Sequence, residues 1–544
     1  MDNKPTLAIY GIKHSSYMHD HNLCLMQNGE ILQYLQLERY TRKKYDNRLN
    51  LFIEELVDNK LLNLPDEFDF VSVDSFVGNS FISVNGKIRI KSAINKYLRN
   101  DVDIARSNIA NAYNCSHELA HIASCLPFFG EFKNNSLLVS FDGGSSLGNF
   151  SAFHFINGEL KLLEYGWEEL GYLPKFFNDN ALTFKILNAQ RDEHCSVPGK
   201  LMGYACYGSY NEKIEQWLKN NDYFKNYWDN ADSILQSIKE SFGIGIEEFN
   251  NKDFFIQDIA ATFQHIFERN FIHAMERLKA HTNADYLYYA GGCALNIITN
   301  TKIINEQIFK DIFIPPCCND SGLSIGAAAF LERKKGNAVK IHSPYLCNVG
   351  LEAANEINVS VSLIKQVADI LLSGGIIGIC NGNAEVGPRA LGNRSLIALA
   401  NSKEIFRKLS MDVKKREWYR PVAPIMLKQV AEKVSIQPIH HLSKFMLLDF
   451  SIKEEFEKDL AGIIHANKTA RIQTIDEKSD NPFMFNLLLY LYENHNVLAL
   501  INTSFNAQGE PIVQTPDNAM QSAQKMSLQG LVINNIFHKI GGTL

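Results

Sequence analysis

The sequence lacks several patterns that would place it in a particular class of protein. Its 10 cysteines are irregularly spaced and form no CxxC pair, which argues against a zinc ribbon and against a disulfide framework. No apolar run is long enough to cross a bilayer, and the N-terminus has no basic flank followed by an apolar stretch. We therefore expect a cytoplasmic protein with no membrane partner.

A strong excess of charge is also lacking. The chain has 54 basic and 60 acidic residues and a formal net charge of -6, so there is no general electrostatic reason to expect a nucleic-acid partner. Any anion site must be local. With 544 residues, of which 46% are apolar and 11% aromatic, the chain is long enough for two or more domains with large cores.

An apolar strand, a polar turn and a hairpin occur at 7–38 and again at 137–166. Both hairpins contain an Asn-Gly pair, Asn28-Gly29 and Asn157-Gly158, which favours a type I′ turn because both central residues need positive φ. The repeat predicts an α/β fold with a duplicated N-terminal domain of the actin/sugar-kinase/Hsp70 type. In that fold the polar turn after the first strand of each half approaches a phosphate.

The later part of the chain is predicted to form a second α/β domain. The polar, irregular stretch 333–350 is the best boundary, which gives domains at 1–340 and 350–544. Apolar spacing and small-residue composition predict the following elements: helices at 255–281, 320–336 and 361–373, and strands at 286–290, 375–381, 484–502 and 530–534.

Two histidines four residues apart suggest a metal site. His117 and His121 would share one face of a helix, and Asp142 and Asp320 add carboxylates that follow a strand and open a helix. Two imidazoles and two carboxylates suit Fe(II), Zn or Mn. The HELAH sequence also matches a zinc protease motif, but a protease would need its third ligand on a following helix rather than at a strand end.

Two glycine-rich turns are candidate phosphate or nucleotide loops. Gly143 and Gly144 follow Asp142, and Gly291 and Gly292 follow an aromatic strand, with Asn296 close behind. Bare glycine backbone can approach a phosphate closely. The alternative is a tight turn followed by a helix cap.

Basic residues recur among glycine, proline and small polar residues in four segments of the C-terminal half, at 382–400, 413–427, 468–475 and 500–513. Arginine offers a fixed fork that pairs bidentately with phosphate or carboxylate, so arginines converging on loops suggest a polyphosphate or acyl-phosphate site. The residues of this set are Arg389, Arg394, Lys414, Arg416, Arg420 and Arg471, with Asn502, Ser504 and Asn506 after an apolar strand.

Over essentially its whole length the chain resembles the NodU/CmcH carbamoyltransferases. The stretches that carry the resemblance are His19-Asp20, NGE, LERYTRKKYD, HELAH, SFDGG, KLMGYACYG, AGGCALN, NDSGLSIGAA, EVGPRALGNRS, VKKREWYRPVAP, TARIQT and NTSFNAQGEPIV. The resemblance implies a metal-binding N-terminal domain related to the threonylcarbamoyl-transfer enzymes and a YrdC-like C-terminal domain.

The resemblance also implies an ATP- and metal-dependent carbamoyltransferase of natural-product biosynthesis. Carbamoyl phosphate and ATP, with Mg, would give carbamoyl-adenylate, and the carbamoyl group would pass to a hydroxyl or amine of a small-molecule acceptor. A homodimer is the candidate assembly. Threonylcarbamoyl transfer to tRNA and a non-catalytic nucleotide-binding protein are the alternatives.

By the same resemblance, individual residues receive roles. His117, His121, Asp142 and Asp320 are the metal ligands, His19 is the general base for the acceptor, and Lys200 belongs to the nucleotide loop of the transfer site. The positions expected to bind carbamoyl phosphate and ATP are Arg389, Lys414, Arg420, Arg471, Asn502 and Ser504, of which Lys414 and Arg420 are also expected to be catalytic.

Overall fold

The structure is a computed structural model, and it describes residues 4–11, 19–73, 98–99, 109–145, 148–165, 170, 181–223, 230–245, 249–351, 358–476 and 481–541. The strands in chain order are β1 (Thr6–Tyr10), β2 (Asn22–Gln27), β3 (Glu30–Gln36), β4 (Phe68–Val73), β5 (Leu98–Arg99), β6 (Ile109–Cys115), β7 (Ser136–Phe141), β8 (Phe150–Ile156), β9 (Glu159–Tyr165), β10 (Tyr286–Ala290), β11 (Asp311–Phe313), β12 (Ile377–Cys380), β13 (Arg394–Leu399), β14 (Ala423–Leu427), β15 (Phe450–Ser451), β16 (Thr469–Ala470), β17 (Gln473–Ile475), β18 (Leu500–Ser504), β19 (Gly530–Ile533) and β20 (Ile536–Lys539).

The α-helices in chain order are α1 (Leu37–Thr41), α2 (Leu49–Asp58), α3 (His117–Ala123), α4 (Leu126–Phe129), α5 (Ala181–Leu187), α6 (Val197–Ala205), α7 (Glu212–Asn220), α8 (Ala231–Ser241), α9 (Phe254–Thr282), α10 (Ile297–Asn305), α11 (Leu323–Lys334), α12 (Val361–Leu372), α13 (Lys403–Arg407), α14 (Lys428–Val434), α15 (Pro482–His495) and α16 (Pro516–Lys525). Within these described ranges no helix is both long and apolar enough to cross a membrane.

The predicted α/β class and the duplication are confirmed by two sheets with the same strand pattern. One sheet has the order β3-β2-β1-β4-β6-β5 and the other β11-β10-β7-β8-β9. In each, the first strand pairs antiparallel with the hairpin that follows it, as β1 with β2 and β7 with β8. The first strand also pairs parallel with a later strand, as β1 with β4 and β7 with β10. The two halves therefore repeat one arrangement of strands.

Both predicted Asn-Gly turns are confirmed. φ is positive at Asn28 and Gly29 (51° and 74°) and at Asn157 and Gly158 (52° and 81°). This is the conformation that a type I′ turn requires, and it matches the twist of the strands that it joins.

Small residues in α11 allow it to pack closely against α3 between the two sheets. A Cβ on Gly326 would come within 1.8 Å of the carbonyl oxygen of Ala120, so only glycine fits at this crossing. The predicted small-residue helix is confirmed, although its first residues, Asp320–Gly322, form a 3-10 turn. The close packing brings the start of this helix next to the histidines of α3.

The C-terminal part of the chain, residues 358–541, contains a seven-stranded mixed sheet of order β17-β14-β18-β13-β12-β19-β20. The strands expected at 375–381 and 530–534 are confirmed as β12 and β19. The strand expected at 484–502 is wrong: helix α15 occupies most of it, and β18 begins only at Leu500. Asn481 caps this helix through its side chain, Pro482 starts it, and Asn496 ends it with positive φ, so local cap chemistry decides the structure of an apolar run.

The C-terminal part packs directly on the preceding residues, which we call the N-terminal part. Tyr419 Oη donates a 3.1 Å hydrogen bond to the carbonyl oxygen of Leu187, and a Cβ on Gly203 would touch Pro421 Cδ at 3.1 Å. The assignment of 1–340 and 350–544 as separate domains stays a prediction.

Candidate active site

Helix α3 carries the two histidines at the centre of the site. Ser116 caps the helix by accepting a 3.4 Å hydrogen bond from the Leu119 amide. His117 and His121 lie on one face, their ring centroids 4.7 Å apart, and both are buried. The predicted helix and the predicted pairing of its imidazoles are confirmed.

Two carboxylates converge on the same point from loops. Asp320 Oδ1 lies 3.5 Å from Nε2 of His117 and 3.5 Å from Nε2 of His121. Asp142 Oδ2 lies 3.6 Å from His121 Nε2. One ligand atom from each of the four residues lies within 4.8 Å of the others, so the structure brings the four predicted ligands together.

The donor set fits a divalent cation. His121 is fully buried, and neither of its ring nitrogens makes a hydrogen bond with the residues described. Burying an imidazole that makes no hydrogen bond is costly, and a cation held between Nε2 and the two nearby carboxylates would give Nε2 a direct partner. Two nitrogen and two oxygen donors suit Fe(II), Zn or Mn better than Mg or Ca, which prefer oxygen.

The charges of these residues depend on one another. Burial alone raises the pKa of Asp320, but the two imidazoles hold that pKa well below its usual value. Burial lowers the pKa of His117, and Asp320 outweighs burial and raises it to about 9. The carboxylate is therefore stabilised by positive charge on its neighbours, as it would be by a bound cation.

Outer residues fix the orientation of Asp320. Tyr10, at the end of β1, donates a 2.7 Å hydrogen bond from its hydroxyl to Asp320 Oδ2, and Asn22 Nδ2 donates to the Asp320 carbonyl at 2.9 Å. Partners of this kind orient metal ligands. The sequence interpretation missed both residues, and only their positions at the ends of β1 and β2 could have indicated them.

The glycine loops hold Asp142 in place. The Gly292 amide donates a hydrogen bond to Asp142 Oδ2. Gly291 has φ of 102°, and a Cβ there would come within 2.1 Å of the Phe141 carbonyl oxygen. Gly143 and Gly144 lie exposed beside them, while Ser146 of this loop lies outside the described residues. Phosphate binding by these loops stays a prediction.

Asn296 has a structural role in the fold. Its Oδ1 accepts a 3.2 Å hydrogen bond from the Thr299 amide and so caps α10, and its amide exchanges hydrogen bonds of 3.0 and 3.1 Å with Gln264. This is the helix cap that was the alternative for this segment. Contact with a nucleotide stays a prediction.

His19 lies at the mouth of the metal-ligand set. Its Nδ1 is 3.3 Å from Asp20 Oδ2 and 4.0 Å from Asp320 Oδ2, and 31% of its side chain is exposed. Burial lowers the pKa of His19, but Cys195 and Asp20 raise it more. Cys195 and His194 are further neighbours that the sequence interpretation did not include. The role of general base stays a prediction.

Lys200 lies between the N-terminal and C-terminal parts. Its Nζ is 2.6 Å from Glu193 Oε1 and 2.6 Å from Glu417 Oε1, and only 2% of the side chain is exposed. It therefore joins α6 to the segment that precedes Arg420. A nucleotide contact for Lys200 stays a prediction.

Four of the predicted arginines, Arg389, Arg416, Arg420 and Arg471, lie close enough for their charges to act on one another, and we call this group the arginine pocket. Arg389, Arg416 and Arg471 make no ion pair with any residue in the described ranges, and Arg420 pairs only with Glu417, at 3.4 Å. Burial, together with the positive charge of Arg420, lowers the pKa of Arg389 to about 10 and that of Arg416 to about 9. Burial and the same positive neighbours also lower the pKa of Arg471. Four partly buried positive charges that have Glu417 as their one ion-pair partner among the described residues form a site for an anion.

Lys414 is fixed in the same pocket by the end of β18. Its Nζ donates to the Ser504 carbonyl at 2.6 Å and to Asn506 Oδ1 at 2.7 Å. Burial lowers its pKa, as does Arg416. Asn502 Nδ2 donates to Gln473 Oε1 at 2.6 Å and to the Ala390 carbonyl at 3.1 Å, which ties β18 to the loop of Arg389. Arg394 instead donates to backbone carbonyls, including that of Asn381 at 2.8 Å.

Lys44, from the N-terminal part, is an exposed residue near this pocket and was not predicted. Partial desolvation lowers its pKa, as do the charges of Arg420 and Lys200, whereas Glu38 raises it. The basic run LERYTRKKYD was the available indication, but its spacing alone does not show which lysine faces the arginines.

The arginine pocket and the metal-ligand set adjoin. Gly387 has φ of 85°, and a Cβ there would come within 2.3 Å of the Pro316 carbonyl oxygen. The Cys318 carbonyl accepts a 2.7 Å hydrogen bond from the Gly291 amide. One short loop, 316–318, therefore contacts the segment of Arg389 on one side and, on the other, the glycine loop that holds Asp142.

Comparison with known proteins shows similarity along nearly the whole chain. The chain is 28% identical to an uncharacterised protein of Methanocaldococcus jannaschii, over 95% of this chain and 97% of that protein. It is 26% identical to nodulation protein NolNO of Sinorhizobium fredii, over 96% of this chain and 79% of that protein. It is also 26% identical to nodulation protein U of Azorhizobium caulinodans, over 90% and 92%.

Among solved structures, full-length HypF in its phosphate- and nucleotide-bound form is 13% identical, with a TM-score of 0.33 over 62% of this chain and 57% of that one. The carbamoyltransferase N-terminus family model matches residues 67–329, and the carbamoyltransferase C-terminus family model matches residues 368–539. The two models cover most of the sequence, and the chain therefore belongs to the carbamoyltransferase family of transferases.

Proposed function

We propose that the protein activates carbamoyl phosphate with ATP and transfers the carbamoyl group to a hydroxyl or amine of a small-molecule acceptor. The observation that carries this proposal is that the arginine pocket, in which Arg389, Arg416 and Arg471 make no ion pair with any described residue, is joined to the four converging metal ligands by loop 316–318. The overall activation consumes carbamoyl phosphate, ATP and water and yields carbamoyl-adenylate, phosphate and pyrophosphate. In the transfer, the acceptor oxygen or nitrogen bonds to the carbamoyl carbon, AMP leaves, and the acceptor loses a proton.

The activation is assigned to the arginine pocket. Arg389, Arg416 and Arg471 would bind the phosphate groups of carbamoyl phosphate and ATP, whose negative charges replace the missing counter-charge. Lys414 is held by Ser504 and Asn506, so its ammonium keeps a fixed position beside the reacting phosphates. An adenylate formed between the two parts of the chain would also be shielded from hydrolysis by bulk water.

The transfer is assigned to the metal-ligand set. His117, His121, Asp142 and Asp320 would hold the ion, which when bound supplies Lewis-acid polarisation of a carbonyl. His19, partly exposed at the mouth of the set, would take the proton of the acceptor at its imidazole. The contact of loop 316–318 with both sites supports a short internal path for the adenylate.

The test separates the two reactions. Carbamoyl-phosphate-dependent exchange of labelled pyrophosphate into ATP should be abolished in Arg389→Ala and retained in His121→Ala. The exposed Arg407→Ala is the matched control and should exchange as the wild type does. If Arg389→Ala exchanges at the wild-type rate, or the wild type shows no exchange that depends on carbamoyl phosphate, the proposed activation is wrong.

A further inference from the structure

A second cluster of metal-type ligands lies at the contact between the N-terminal and C-terminal parts. Asp311 begins β11, and His440 and His441 belong to the C-terminal part at the start of a short 3-10 turn. Nε2 of His440 and Nε2 of His441 lie 3.1 and 3.0 Å from Asp311 Oδ1. One ligand atom from each of the three lies within 4.8 Å of the others. The two clusters share no residue, so this one is distinct from the first.

The rings of this cluster are held in place by packing. The His441 ring stacks on Phe313 with a centroid distance of 5.4 Å and meets the edge of Phe129 at 5.8 Å. The centroids of His440 and His441 are 4.2 Å apart. Ligands whose orientation is fixed before binding lose little entropy when an ion arrives.

We propose that Asp311, His440 and His441 bind a late first-row divalent cation of the zinc class and so tie the two parts of the chain together. Two imidazoles and one carboxylate are the donors of three-ligand zinc sites, in which water completes the coordination. Water has access, because 27% of the Asp311, 18% of the His440 and 37% of the His441 side chain is exposed. Mg and Ca fit poorly, since both prefer oxygen donors.

The hydrogen bonds of the ion-free cluster set the cost of binding. Asp311 Oδ1 accepts from the Ile312 amide at 2.8 Å and faces both imidazole Nε2 atoms. His440 Nδ1 accepts a 3.3 Å hydrogen bond from the Leu442 amide, so its proton lies on Nε2. Binding through Nε2 moves that proton to Nδ1 and gives up this long hydrogen bond. Three coordination bonds compensate for the loss.

The test uses the full-length, untagged, metal-free protein with His121→Ala, which disables the first ligand set. Co(II) is the probe, because imidazole ligation gives it visible absorption bands. We expect one equivalent of Co(II) in the His121→Ala protein, and a rise in Tm of about 2 °C or more when Zn(II) is added at 100 times its Kd. A second substitution in the same protein, His441→Ala, should weaken Co(II) binding at least about tenfold.

Two controls keep the outcome clear. His273→Ala removes an exposed histidine on α9 and should leave Co(II) binding unchanged. Asp311→Asn keeps an oxygen acceptor for both imidazoles but removes the negative charge. If this variant folds and its affinity for Co(II) is reduced, the result supports the site. The proposal is overturned if His121→Ala binds no Co(II), or if His441→Ala and Asp311→Asn leave its affinity unchanged. Neither result depends on carbamoyl transfer.

Discussion

The Arg39 guanidinium donates a 2.8 Å hydrogen bond from Nη2 to the Gly387 carbonyl oxygen, across the contact between the two parts of the chain. Its Nη1 donates to the Glu385 carbonyl, and the side chain is fully buried. Both carbonyls precede Arg389 by only a few residues. A helix that follows the first hairpin therefore fixes the loop that brings Arg389 into the anion pocket.

We predict that Arg39→Met lowers stability by about 2–6 kcal/mol, because two buried carbonyl oxygens lose their donors at about 1–3 kcal/mol each. Thermal unfolding measures the loss, and the KM for carbamoyl phosphate in the exchange assay should rise as well. Arg42→Met is the matched control. Arg42 also donates to two carbonyls of the C-terminal part, at 2.7 and 2.9 Å, but it is only half-buried, and water can replace it. Equal losses in both variants would contradict the prediction.

Comparing the stabilities of Gly291→Ala and Gly336→Ala should distinguish the cost of backbone strain from the cost of a steric clash. Gly291 and Gly336 both have positive φ, but a Cβ on Gly336 meets nothing within 4 Å, whereas one on Gly291 would lie 2.1 Å from the Phe141 carbonyl oxygen. We expect Gly336→Ala to cost about 1–2 kcal/mol from conformation alone and Gly291→Ala to cost more. The clash should also move the Gly292 amide away from Asp142, so bound metal should fall in Gly291→Ala only. Equal metal content in the two variants would show that this loop does not position Asp142.

Local sequence chemistry accounts for the parts of the fold that were predicted. The Asn28-Gly29 turn needs positive φ at adjacent residues, which few other pairs allow. Helix α3 follows from a cap and a four-residue spacing. The strand expected at 484–502 is wrong because apolar content does not distinguish a strand from a buried helix, and the caps at Asn481 and Asn496 decide it.

The candidate site was less accessible from the sequence. The four metal ligands come from distant segments; the histidine spacing and the positions of Asp142 and Asp320 indicated them, and the family resemblance supported the set. The hydroxyl contact of Tyr10 with Asp320, the approach of Lys44 to the arginines and the neighbours of His19 depend on packing between elements far apart in the chain. None of these contacts has a local pattern, so the sequence could not predict them.

Stability at acid pH should depend on Glu215. Two hydrogen bonds from Arg269, at 2.7 and 2.9 Å, lower the pKa of this carboxyl from its usual value of 4.5 to about 2. Because the pKa of Glu215 is lower in the folded protein, its ionised carboxylate stabilises the fold above pH 4.5. This stabilisation is lost as the pH falls towards 2. Arg269 is 40% exposed, so solvent screening should reduce the contribution to roughly 1–2 kcal/mol.

Thermal unfolding of the wild type and of Glu215→Gln between pH 2 and pH 7 checks this. The two proteins should differ most above pH 4.5 and converge near pH 2. Asp285→Asn is the control: Asp285 pairs at 3.0 Å with Lys310, whose side chain is 66% exposed, so this variant should show a smaller difference. A difference between the wild type and Glu215→Gln that stays constant over the whole range would contradict the assignment.

The last prediction concerns the proton of the acceptor. His19 is the titratable side chain that lies 4.0 Å from Asp320 while still reaching solvent, so it is placed to meet an acceptor that approaches the metal ligands. To accept a proton, the imidazole must be neutral, yet Cys195 and Asp20 raise its pKa. The rate of carbamoyl transfer should therefore increase as pH rises through the pKa of His19, because the fraction of neutral imidazole increases.

His19→Asn should keep metal content and carbamoyl-dependent pyrophosphate exchange, because neither uses this ring. It should slow transfer of labelled carbamoyl to the acceptor that the wild type uses by roughly a hundredfold or more and flatten the pH profile. His194→Asn is the control: its ring centroid lies 6.2 Å from that of His19, so it should change the profile less. If His19→Asn transfers at the wild-type rate with an unchanged pH profile, proton removal belongs to another group, and His19 only orders the turn beside Asp20.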